Sequence, residues 1–147
     1  MKKQQSKLFI MTFMVMIATT MITHGQQAAN YKHPYLNSSG QVLDEKENII
    51  GVVGKDGTIK NGAGEVVGHI KGTNVTEASG KKIGWVGKNG SFYDDKDAVV
   101  FTIDPKDKGE RCKIYDPQGK VIAEVHESYK NQACAIHCLF KMKEMKH

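Results

Sequence analysis

Apolar residues fall in short clusters along this chain, and the clusters recur. Ile49-Ile50-Gly51-Val52-Val53 is followed by Val66-Val67-Gly68-His69-Ile70, Lys82-Ile83-Gly84-Trp85-Val86, Val99-Val100-Phe101-Thr102-Ile103 and Val121-Ile122-Ala123-Glu124-Val125. Each has an apolar partner eight residues upstream of its second residue: Val42, Ile59, Val75, Phe92 and Ile114. The offset holds in every copy, whereas the spacing between copies runs 17, 16, 17 and 22 residues. A constant internal distance with a variable external one marks a structural unit joined by adjustable loops.

The second copy shows what the unit is. A short strand centred on Ile59 meets Asn61-Gly62 and Gly64, residues that tolerate the left-handed backbone of a tight reversal, and a second strand runs from Glu65 to Ile70. Asp44, Glu77, Asp94 and Asp116 occupy the Asn61 position in the other copies, and Gly80 and Gly119 match Gly64. Each unit is therefore a β-hairpin; five unrelated hairpins in a meander are the plainer alternative. Strand alternation would put Ile49, Gly51 and Val53 on one side with their equivalents, giving a middle column of Gly51, Gly68, Gly84, Phe101 and Ala123. The other side would carry Ile50, Val67, Ile83, Val100 and Ile122, so both faces would be buried. The fold class that follows is mainly β: about five short hairpins arranged radially around an axis, second strands inward, small residues where they converge.

The motif hydrophobic-Gly-x-hydrophobic, in Ile50-Gly51, Val67-Gly68 and Ile83-Gly84, with Asp-Gly and Asn-Gly turns between hairpins, resembles the five-fold β-flower family of exported bacterial proteins. The resemblance covers residues 35–128. It weakens at copies four and five, where Phe101 and Ala123 replace the glycine. It implies radial hairpins, an extracytoplasmic location and no enzymatic activity.

The ends of the chain have other periods. Residues 1–25 carry Lys2, Lys3 and Lys7 ahead of an apolar run from Leu8 to Ile22, with Thr23 and Gly25 placed for cleavage before Gln26. This is the layout of a signal peptide, about five residues short of the roughly 20 a membrane span needs; an uncleaved anchor is the alternative. Residues 26–34 form an extended lead-in, since Pro34 discourages helix at His33. In residues 129–147, Ala133, Ile136, Leu139 and Phe140 share one helical arc, and Cys134, Cys138, Met142 and Met145 widen it. With Ser128 able to cap it, a helix this apolar is expected to cover one end of the hairpin array or to enter it. The alternative is a helix for a membrane or a partner.

Charge and chemistry add little. Taking the three leader lysines from 21 basic residues leaves 18 against 16 acids, a net of +2 with signs alternating along the hairpins. No basic stripe for nucleic acid remains, and no stable membrane span is expected after cleavage. Cys112, Cys134 and Cys138 would, in an oxidising compartment, give one disulfide and one free thiol. Cys112 with either helix cysteine is the favoured pairing; a metal site from these cysteines with His137 or His126 fits structural-zinc spacing poorly. The acids around Asp94 to Asp107 fail the spacing of a calcium loop and read as solvated turns. No catalytic motif or cofactor loop is present, although Ser, His and Asp of a small hydrolase could still meet in space. Trp85 takes an outward slot, and with Tyr93 and His69 it forms the candidate ligand surface for a glycan or peptide. The expected role is that of an exported non-enzymatic protein with a structural or interaction function toward a protein or glycan partner.

Overall fold

Local chemistry at the hairpin turns sets the architecture. In the computed structural model, which describes residues 33–144, Asp44 Oδ1 accepts the backbone N–H groups of Lys46 and Asn48. Asn61, Asp94 and Asp116 each take the equivalent pair of N–H groups. A carboxylate or amide oxygen that accepts both donors closes a tight reversal without help from outside. The N–H groups of Ala98 and Lys96 hold the Asp94 carboxyl below the usual carboxylate range. At the left-handed position Gly64, Gly80 and Gly119 are joined by two residues with side chains, Glu47 (φ 66) and Asp97 (φ 62).

These turns join five hairpins: β2 (Gln41–Leu43) with β3 (Ile49–Val53), β4 (Thr58–Asn61) with β5 (Val66–Lys71), β6 (Asn74–Glu77) with β7 (Lys82–Val86), β8 (Ser91–Asp94) with β9 (Val99–Ile103), and β10 (Cys112–Tyr115) with β11 (Val121–Val125). Ahead of them β1 (Tyr35–Leu36) pairs parallel to β11 and antiparallel to β2. The result is a closed barrel around one axis, and closure leaves no strand edge unpaired. Arg111 clasps the seam, its guanidinium 4.3 Å from the Tyr35 ring centroid and paired with Glu124 of β11. The radial arrangement matches the sequence expectation; the inward placement of the second strands does not. Adjacent hairpins pair with each other as well as within themselves, so both strands lie in one continuous wall.

The expected side-chain phase is also corrected. In every hairpin one extra residue interrupts the ladder at the same place. Val42 pairs with Gly51 but Leu43 with Ile49, and the equivalent skips occur at Val67, Ile83, Val100 and Ile122. A β-bulge puts two residues opposite one and breaks the two-residue alternation. Ile49, Val66 and Val99 consequently face water, 50%, 41% and 39% exposed, while Val67 and Ile83 are buried. The wall is apolar inside and mixed outside, not buried on both faces.

The middle-column glycines are buried, and they are needed sideways. A Cβ on Gly51 would stand 2.5 Å from the carbonyl oxygen of Lys60, one on Gly68 2.7 Å from that of Thr76, and one on Gly84 closer still to that of Tyr93. Each of these oxygens belongs to the first strand of the next hairpin, and the three glycines pair directly with Asn61, Glu77 and Asp94. Phe101 and Ala123 are tolerated because the ladder to the next strand stops before reaching them: β9–β10 and β11–β1 each hold two residue pairs.

After β11 the chain makes a 3₁₀ turn, Glu127–Gln132, and then helix α1, Cys134–Glu144. His126, not Ser128, is the cap: its Nδ1 accepts the Ser128 N–H at 3.2 Å. Two lysines anchor the 3₁₀ turn. Lys55 lies 3.6 Å over the Tyr129 ring and bonds to Ser128 O, and Lys130 reaches the carbonyls of Asp104, Pro105 and Asp107. Cys134, Ala135, Ile136, Cys138 and Leu139 are all buried, an arc of about 200° around the helix, whereas His137 and Phe140 on the remaining arc are half-buried and Lys141 is exposed. Leu139 packs on Gly51 and the His137 ring lies 5.5 Å from that of Phe92, an inward residue of β8. The helix shares one core with the inward residues of the wall. No described helix is long and apolar enough to cross a membrane.

Candidate functional site

Trp85 on β7 and Tyr93 on β8 stand opposite each other in the ladder, on the outer face. Their rings stack with centroids 4.2 Å apart and planes 11° from parallel. The indole N–H donates to Asp97 Oδ1 at 2.8 Å, and the Tyr93 hydroxyl accepts from Asn89 Nδ2 at 3.2 Å. Both ends of the stack are therefore tied to turns, Asp97 to the fourth hairpin turn and Asn89 to the turn between β7 and β8. Gly87 gives the pair room, since a Cβ there would lie 2.9 Å from the Tyr93 ring. The arrangement offers a half-buried, pre-oriented aromatic surface with a carboxylate at its rim, the kind of surface on which an apolar sugar face or a planar peptide group stacks.

His69 is not part of it. It sits on β5 opposite Thr58 and Thr76, and β6 separates it from Trp85. Two strand spacings put it roughly 10 Å away to the side. Sequence reading missed Asp97 and Asn89. The available signal was that Asp97 fills a position where three other turns have glycine.

The expected disulfide is corrected. Cys112, Cys134 and Cys138 are free, and all three are buried. The reason is steric and positional. Cys134 and Cys138 are one helical turn apart, so their side chains run alongside each other. Cys112 belongs to the wall, where its thiol lies 3.7 Å from the carbonyl of Gly109. Burial raises the pKa of each thiol, up to about 12 for Cys138 despite the pull of Lys141, and well above the ordinary value for Cys134. Thiols held protonated are poor nucleophiles and poor metal ligands. On the helix, Cys134, Ala135 and Cys138 make one buried side of small side chains. Among the described residues no group of three His, Cys, Asp or Glu side chains is placed to hold a metal ion.

A closed barrel of repeated hairpins around one axis defines the class of protein. Residues 24–141 match the family model described as 5-fold beta-flower protein, and the chain belongs to that family. No curated protein and no solved structure matches it significantly.

Proposed function

We propose that the chain is exported and acts in the periplasm or outside the cell as a non-enzymatic interaction protein, with the outer wall of the barrel as the surface its partners meet. One observation carries this reading: the outer wall presents an aromatic pair fixed at both ends by turn residues. The basic head and short apolar run before Gln26, which lie outside the described residues, support export. Intact-mass analysis of the chain recovered outside the cytoplasm tests it. The expected species begins at Gln26 and carries three thiols that alkylate only after denaturation. A chain retained in the cytoplasm with Met1 in place would overturn the reading.

Within that role, a glycan- or peptide-binding surface at Trp85 and Tyr93 is favoured by the anchoring of the indole on Asp97. An aromatic pair contributes about 0.5–1.5 kcal/mol beyond its buried area. Trp85→Ala forfeits that and the contact area of the half-buried indole, about 2–3 kcal/mol together, and is expected to lower the melting temperature by about 8–15 °C without preventing folding, while abolishing retention on a glycan or peptide array. No retention of the wild-type protein, together with a collapse of Trp85→Ala stability, would make the stack a packing feature and nothing more.

A further inference from the structure

We infer that the barrel holds a binding site for a small apolar molecule with a cationic or hydrogen-bond-donating head, between α1 and the wall of β9–β11. The five bulge residues have the same place in their hairpins but different surroundings. Val67 and Ile83 are buried, 5% and 9% exposed, Ile50 and Val100 are half-buried, and Ile122 is 36% exposed. The helix is off-centre: Leu139 is seated on Gly51 of β3, and Cys138 lies beside Val67 and Ile83. The opposite side holds a pocket of about 270 Å³ that opens to solvent beside Glu45 and Ile122. Val100, Phe101, Ile122 and Ala123 line it from the wall, and Ile136 and Phe140 from the helix.

Native interiors carry few voids larger than a water molecule, and an apolar cavity of about 150 Å³ already takes up benzene. This one is nearly twice that size, which suits a bicyclic aromatic or a short branched chain. The polar groups that border it, Glu45 from the first hairpin turn and His137 from the helix, give it the anatomy of a ligand pocket: apolar walls and a few polar groups that orient the guest. A carboxylate selects a cationic or N–H head over an anionic one.

The test is calorimetric titration of the full chain with indole, tryptamine and indole-3-acetate, which share one ring system and differ in their heads. Indole is expected to bind with Kd on the order of 0.1 mM, tryptamine several-fold tighter, and indole-3-acetate at least tenfold weaker than tryptamine. Ala123→Leu fills the cavity from the wall. It should weaken all three at least tenfold while the melting temperature holds or rises. Glu45→Gln, on an exposed turn, should remove the preference for tryptamine and leave indole binding unchanged. Absence of binding by any of the three probes, or binding that Ala123→Leu does not alter, would overturn the site. So would a higher melting temperature in Ala123→Leu without binding by the wild type, which would make the space a packing defect.

Discussion

Gly84→Ala, a single added methyl group, is expected to lower the melting temperature by about 8–15 °C or to prevent folding. The methyl would fall on the carbonyl oxygen of Tyr93, with the Phe92 ring beside it at 2.8 Å. A side chain can turn aside, but this oxygen belongs to the β8 backbone, in the register that pairs Gly84 with Asp94 and Trp85 with Tyr93. Relief requires the two hairpins to move apart, which costs ladder bonds and strains the Trp85–Tyr93 stack. Overpacking of this kind costs about 1–3 kcal/mol before any hydrogen bond is lost. Ala123→Gly is the control. It occupies the same column, but the ladder to β1 does not reach it, so the change should cost only about 1–2 kcal/mol, for the lost methyl and the freer unfolded chain. Thermal unfolding of the two variants decides the matter. Equal effects, or Gly84→Ala within 2 °C of wild type, would mean that the glycines are not demanded by the packing of one hairpin against the next.

How much of this was legible beforehand follows from what a pattern can and cannot encode. The constant offset of eight gave the hairpins because it is the register itself: Val42, Ile59, Val75, Phe92 and Ile114 each face a bulge residue and the middle-column residue after it. The strict two-residue alternation failed because a bulge inserts one residue without changing composition. The doublets Ile49-Ile50, Val66-Val67 and Val99-Val100 were its trace, one member facing out and one in. The glycines read correctly as places of close approach but not in direction, since sequence does not say whether the crowding comes from the axis or from the neighbouring strand. The cysteine count suggested a bridge, whereas the fold puts Cys112 in the wall and Cys134 and Cys138 on the helix as free, buried thiols, which spacing along the chain does not reveal. That Trp85 and Tyr93 stack across the ladder, and that β6 keeps His69 away from them, depends on a strand order that the chain's pattern does not encode.

Ending the chain at Gln132, which removes α1, is expected to abolish cooperative unfolding while leaving much of the β-sheet signal in circular dichroism. The barrel wall is one layer thick, and its inward residues Val42, Ile59, Val75, Phe92 and Ile114 are at most 1% exposed with the helix in place. Without it the residues it packs on, Phe92 beside His137 and Gly51 beneath Leu139 among them, would open to water. Each large side chain so exposed forfeits about 1.5–3 kcal/mol. Several together exceed the 5–15 kcal/mol by which a domain of this kind is stable. What remains should bind a hydrophobic dye, keep its hairpin turns, which close through their own Asp and Asn side chains, and lose fixed packing. The point variant Leu139→Ala grades the same argument. It removes the side chain seated on Gly51 and should cost about 2–5 kcal/mol, near 8–20 °C in melting temperature. A synthetic peptide of residues 133–147, added to the truncated chain, should restore a sharp transition in proportion to its concentration. A truncated chain that still melts cooperatively within a few degrees of the intact protein would show that the hairpin ring stands alone and that the helix is a passenger in it.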